Sequence, residues 1–291
     1  MKTSRNFLYG SLLLMPAALL LWVFTYQPIV ATLYHSLFST PRGRRPSVFK
    51  GLEHYERMIS DPVFWQALTN NLIYAAVTIP VSMGLALAMA LFVNARIRGQ
   101  GLVRMAYFTP TVLPMVAVAN IWLFFYAPGY GPIDQLLDLV GLGQNNLLGS
   151  PSTALPALIV ITIWKEAGFF MIFYLAALQQ ISPTLIEAAR LEGASPLQTF
   201  RRVTLPLIMP TTLFVMVNAL IGAFRLVDHV IALTKGGPDN ATTLLLFYLY
   251  EVGFQYWDTG YAAALTVFLL VVLALIALVQ FGYLDKKVHY R

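Results

Sequence analysis

A chain of 291 residues that is 58% hydrophobic and 11% charged cannot clothe a globular surface, because ordinary soluble domains carry roughly 25% charged residues and expose much of their area to water. The absence of cysteine excludes disulfides and thiolate metal sites, and His35, His54, His229 and His289 lack metal-ligand spacing. The net charge of +6 gathers at the ends of apolar stretches, a pattern that orients membrane spans and calls for no nucleic-acid partner.

A helix needs about 20 apolar residues to cross roughly 30 Å of hydrocarbon. Six segments satisfy this, near 7–36, 68–94, 105–126, 155–179, 204–227 and 261–283, and predict an all-α integral membrane protein. The first segment is too long and too aromatic (Trp22, Phe24, Tyr26) for a cleaved signal peptide, and Pro16 and Pro28 are expected to kink or end it. After the third, Gly131–Gly141 reads as a short amphipathic helix lying on the outer face. The fourth carries Lys165-Glu166 at its centre. A single transmembrane domain is expected over 1–291, with outer loops near 37–67, 127–154 and 228–260.

Placing both termini in the cytoplasm puts Lys2, Arg5, Arg96, Arg98, Arg104, Arg190, Arg201, Arg202, Lys286, Lys287 and Arg291 inside. Arg42, Arg44, Arg45, Lys50, Arg57 and Lys235 fall outside. The balance favours this orientation, although the first outer loop is basic against the rule.

Between the fourth and fifth spans, Ser182 to Pro196 predicts two short helices, each with a serine cap followed by proline at the first helical position. Gly193 suits a left-handed stop between them. A rigid helix–turn–helix on the cytoplasmic side is a shape suited to docking.

These residues carry a resemblance. Glu187-Ala188-Ala189, Gly193, Val203, Leu205 and Pro206 match the pattern EAA-x3-G-x9-I-x-LP, with Val for Ile, of binding-protein-dependent ABC import permeases. Phe49-Lys50-Gly51-Leu52-Glu53-His54-Tyr55 is similar to the stretch after the first span in carbohydrate-type permeases. So are Asp228 with Thr234-Lys235-Gly236-Gly237-Pro238 and Ala241-Thr242-Thr243-Leu244, and Gly260-Tyr261-Ala262-Ala263-Ala264; Val227 replaces the usual Phe. The chain resembles the first permease of the heterodimer in the maltose/lactose/glycerol-phosphate class.

The resemblance implies the type I importer fold and a subunit that is not itself an enzyme. It implies a second homologous permease, two copies of a cytoplasmic ATPase that bind ATP and Mg, and an extracytoplasmic solute-binding protein, all at the bacterial inner membrane. No G-x-x-x-x-G-K-[ST] loop occurs in this chain. Within the coupling loop, about 182–206, the ATPase contact falls to Glu187, Ala188, Ala189, Gly193, Leu205 and Pro206. The solute would be a sugar or sugar derivative: an oligosaccharide, polyol, glycerol phosphate, sugar phosphate or sulfonate.

Polar residues within the spans are candidates for the solute path. Charges at a helix centre cost roughly 2.5–3.5 kcal/mol on insertion scales and face partners or water-filled paths. Lys165 and Glu166 point about 100° apart on a helix, so either one lines the solute cavity or they serve ion pairs with other helices. Arg225 and Asp228 suit a local i, i+3 pair, or else Arg225 joins Lys165 in meeting an anionic or hydroxyl-rich solute. Asn120 and Asn218 suit sugar hydroxyls or helix–helix bonds. Trp22, Tyr26, Trp122 and Tyr126 suit an interfacial belt better than a sugar platform.

A secondary transporter or channel also fits the composition and span count, but the inverted repeats expected of one are not visible. A membrane-embedded enzyme lacks support, since no H-E-x-x-H or G-x-S-x-G occurs.

Overall fold

The described residues are mostly helical, and apolar segments dictate where the helices run. The computed structural model describes residues 2–41, 43, 46–95, 99–141, 146–280 and 282. Arg42, Arg44, Arg45, Arg96, Arg98, Lys286, Lys287, His289 and Arg291 lie outside the described residues. In chain order the elements are α1 (Lys2–Leu21), α2 (Gln27–His35), α3 (Glu53–Ser60), α4 (Pro62–Asn94), α5 (Gln100–Val112), α6 (Met115–Phe125) and α7 (Pro132–Leu139). There follow α8 (Pro151–Gln180), α9 (Pro183–Leu191), α10 (Pro196–Thr199), α11 (Leu205–Arg225), α12 (Asp228–Leu233), α13 (Leu245–Tyr250) and α14 (Thr259–Val279). The short helix expected after the third span is α7.

Among the described residues, five helical stretches are long and apolar enough to cross a bilayer, and six when the bent pair α5–α6 counts as one span. That pair corrects the single helix expected over 105–126. α5 stops at Val112, Leu113 is extended (φ −70°, ψ 133°), and α6 leaves at a bend of 102°. Pro114 explains the stop: its ring disfavours a helical Leu113, and its nitrogen has no hydrogen to give the Pro110 carbonyl four residues back.

Prolines shape the other spans more gently. Pro16 lies within α1 without ending it. A π-turn at Trp22–Tyr26 joins α1 to α2, with the Gln27 amide donating to the Trp22 carbonyl just before Pro28. The same device recurs at Phe200–Thr204, where Leu205 donates to Phe200 just before Pro206. In both places the last available donor reaches one residue further back, because the next nitrogen is a proline's.

The chain divides into two compact units. One comprises Met1–Asp61 and Leu249–Val272; the other comprises Pro62–Tyr248 and Leu273–Arg291. In the second, α4, α8 and α11 pack around Ala86, Ala90, Phe170, Met171, Tyr174, Ile208, Val215 and Ala219. Small residues on α4 let the backbones approach, which is how membrane helices associate when lipid offers no hydrophobic drive.

Candidate functional site

The loop after α8 folds as its residues require. Pro183 and Pro196 occupy the first turns of α9 and α10. Ser195 forms the full capping box: its Oγ accepts from the Gln198 amide (3.3 Å), and Gln198 Oε1 accepts from the Ser195 amide (2.8 Å). Ser182 holds the other cap position, but its hydroxyl meets Thr184 Oγ1 (2.7 Å) rather than a helix amide, so the expected cap bond is not made. α9 ends in a Schellman turn: Ala194 donates to Ala189 and Gly193 to Arg190, both at 3.0 Å, with Gly193 at φ +80°.

The six residues assigned to the loop's contact do not share one surface. Leu185, Ala188 and Leu191 are exposed on α9, as are Glu187 and Arg190, and Leu191 is 90% exposed. Ala189 is half-buried, and Glu187 and Arg190 line a groove with Leu91, Asn94, Leu178 and Thr204. Leu205 packs against the helical core while Pro206 opens α11. Leu185 and Leu191, which the sequence reading does not single out, lie at i, i+3, i+6 spacing with Ala188.

Within the spans, Lys165 and Glu166 diverge as their helical spacing dictates. Lys165 Nζ donates to the carbonyls of Pro110 (3.1 Å), Thr111 (3.3 Å) and Leu113 (2.7 Å). It therefore faces the broken end of α5, in no ion pair among the described residues. Glu166 is half-buried and lines a narrow crevice with Thr78, Ser82, Thr162, Phe170 and Gly222. Its carboxyl makes no hydrogen bond among the described residues. Thr78, Ser82 and Thr162 donate to the carbonyls of Tyr74, Thr78 and Leu158, and Thr162 Oγ1 also lies 2.6 Å from Tyr74 Oη.

The Arg225–Asp228 pair and the place of Trp122 and Tyr126 in a belt are corrected. Arg225 and Asp228 form no ion pair: α11 ends at Arg225, Leu226 is extended (ψ 112°), and Asp228 opens α12, so the i, i+3 relation on one helix is lost. Asn120 and Asn218 bond back to the carbonyls of Val116 (2.9 Å) and Phe214 (2.8 Å) on their own helices. Trp22 and Tyr26 are exposed, as a belt requires, but Trp122 and Tyr126 are buried. Trp122 packs edge-on to Trp164, and Tyr126 Oη donates to the Ala157 carbonyl (3.0 Å), so both fasten α6 to α8.

Hydrogen bonds hold the signature stretch that follows α11. Asn70 of α4, unremarked in the sequence, donates to the carbonyls of Asn240 (2.9 Å) and Thr243 (3.0 Å). Its neighbour Asn71 accepts from the Leu245 amide (3.3 Å). Thr242 and Thr243, fully buried, donate back to Gly237 and Gly236 and close the loop on itself. His229 is fully buried beside Tyr74, whose hydroxyl lies 2.6 Å from Thr162 Oγ1 and 3.2 Å from His229 Nε2.

In the other unit, the segment between α2 and α4 is clasped to the start of α14. Thr40 Oγ1 and Arg57 Nη1 donate to Asp258 at 2.7 Å each, and the Gly260 amide donates to Thr40 Oγ1 (2.9 Å). His54 Nε2 is 3.0 Å from the Phe38 carbonyl. A Cβ on Gly260 would sit 2.6 Å from that carbonyl and 2.7 Å from His54 Nε2, so the close approach requires glycine. Burial pushes the Asp258 carboxyl up, but the bonds from Thr40, Arg57 and the Tyr261 amide outweigh it and hold the group below its ordinary range.

Comparison with known proteins matches this architecture. Residues 58–290 fit the family described as binding-protein-dependent transport system inner membrane component. A probable ABC transporter permease of Bacillus subtilis is 34% identical over 284 residues, covering 96% of this chain and 97% of its own. The sulfoquinovosyl glycerol transport permease of Agrobacterium fabrum is 32% identical over 261 residues, covering 89% and 85%. A chain of the bacterial alginate ABC transporter, solved with an alginate pentasaccharide-bound periplasmic protein, superposes with TM-score 0.85 at 26% identity, covering 99% and 97%. With its spans, its helix–turn–helix loop and these relatives together, the chain belongs to the inner membrane permease components of binding-protein-dependent ABC transporters.

Proposed function

We propose that this permease forms half of the translocation path of an ATP-driven importer for a sugar or sugar-derived solute. It pairs with a second homologous permease, with two copies of an ATPase that bind ATP and Mg, and with an extracytoplasmic solute-binding protein. Both termini face the cytoplasm. The observation that carries the reading is the α9–α10 element, whose capped, Schellman-terminated geometry presents Leu185, Ala188 and Leu191 outward. A rigid helix on a loop between two spans transmits movement from a docked ATPase into α8 and α11 by rigid-body rotation.

The solute class rests on relatives that handle sulfoquinovosyl glycerol and alginate. Both are hydroxyl-rich and carry an acidic group. Within this chain, Glu166 with Thr78, Ser82 and Thr162 offers hydrogen-bond acceptors suited to sugar hydroxyls. Affinity purification of the full chain from native membranes is expected to bring down one further permease and an ATPase, and uptake in vesicles should need ATP and the binding protein. A chain that purifies alone as an active homo-oligomer, driven by an ion gradient, would refute the reading.

A further inference from the structure

Lys165 is a charged residue in mid-span whose three ammonium hydrogens meet three backbone carbonyls. Those carbonyls belong to the one place where the third span loses its helix. Pro114 cannot donate to the Pro110 oxygen, and the 102° bend carries the following amides away from Thr111 and Leu113. In hydrocarbon an unpartnered carbonyl is costly, so a broken span needs donors from elsewhere. Lys165 supplies one hydrogen to each oxygen, at 3.1, 3.3 and 2.7 Å. Its positive charge also lies at the C-terminal, negative end of α5. In return, Thr111 Oγ1 donates to the Lys165 carbonyl at 3.3 Å.

The neighbours of Lys165 on α8 hold the two halves in place. One residue earlier, Trp164 packs edge-on to Trp122 of α6, ring centroids 5.6 Å apart. Three residues later, a Cβ on Gly168 would run into the Tyr107 carbonyl of α5, so the helices touch backbone to backbone there. Residues 164, 165 and 168 of α8 thus meet α6, the break and α5 in turn.

We infer that Lys165 is a positioning residue that caps the broken end of α5 in trans and thereby sets the bend of the third span, and that it does not recognise the solute. The assignment goes beyond the importer reading and does not depend on which solute is carried. It also removes the ammonium as an argument for an anionic solute, because its three hydrogens are already committed.

The chain has no cysteine, so cysteines introduced at the exposed Met105 of α5 and Ile121 of α6 can carry a single pair of spin labels. In the purified full chain, Lys165→Met should at least double the width of the inter-label distance distribution, and Lys165→Arg should restore it. In transport, Lys165→Met should lower the maximal rate about tenfold with KM unchanged. An unchanged distance distribution in Lys165→Met, or a tenfold rise in KM with the distribution intact, would overturn the proposal; the latter would make Lys165 a solute contact. Should Lys165→Met fail to fold, Thr111→Val, which removes only the reciprocal bond, decides the matter. It must broaden the distribution measurably, and a wild-type width would again refute the role.

Discussion

Arg57 and Asp258 stand 201 positions apart and meet in a 2.7 Å ion pair. The contact binds α3 to the residue just before α14. It gives Arg57, one of the basic residues that follow the first span, a specific partner. Asp258 is mostly shielded while Arg57 is about half exposed, which makes the pair worth roughly 0.5–1 kcal/mol. A double-mutant cycle of Arg57→Ala and Asp258→Asn, read by thermal unfolding, should show a coupling of that size. Because the folded Asp258 pKa is depressed, its contribution is complete above the ordinary value of 3.8 and is lost as pH falls through the folded value. The melting difference between wild type and Asp258→Asn should therefore be constant from pH 7 to 5 and shrink below about pH 4.

Gly193 tests the turn of the coupling loop. Nothing lies within 4 Å of a Cβ built there, so a substitution acts only through φ +80°. Gly193→Val should cost about 1–2 kcal/mol locally, whereas Gly193→Asn, which tolerates the left-handed region, should cost less. Transport-coupled ATPase activity in proteoliposomes should fall for valine and largely survive for asparagine. Equal loss in both would remove the turn from the coupling mechanism.

Leu191 tests the docking face. Its side chain is almost wholly exposed, so Leu191→Arg should leave the chain's own folding intact. Loss of a buried apolar anchor at an interface is typically worth about 1–2 kcal/mol. ATPase recovered with the tagged chain should drop roughly tenfold, with membrane insertion unchanged. Full recovery of the ATPase would place the contact elsewhere.

Glu166 tests the path. Glu166→Gln keeps the shape of the crevice while weakening its acceptor. Charge-assisted hydrogen bonds contribute about 1.5–3 kcal/mol, so KM for uptake should rise at least roughly tenfold. An unchanged KM across a panel of sugars and sugar acids would take Glu166 off the path.

What the sequence alone determined is what neighbouring residues decide. Apolar runs longer than a bilayer is thick set the spans. The prolines at Pro183 and Pro196, the Ser195 capping box and Gly193 set the turns of α9 and α10, because caps and left-handed stops act within one helical turn. Even the divergence of Lys165 and Glu166 follows from helical geometry. What only the tertiary structure decided is where those side chains end. The carbonyls held by Lys165 lie more than 50 residues upstream, and Asp258 finds Arg57 across nearly the whole chain. Trp122 and Tyr126 read as an interfacial belt until α8 covers them. Arg225 and Asp228 read as a pair until extended Leu226 separates their helices. Such contacts depend on how helices distant in sequence pack, and local propensity carries no record of that.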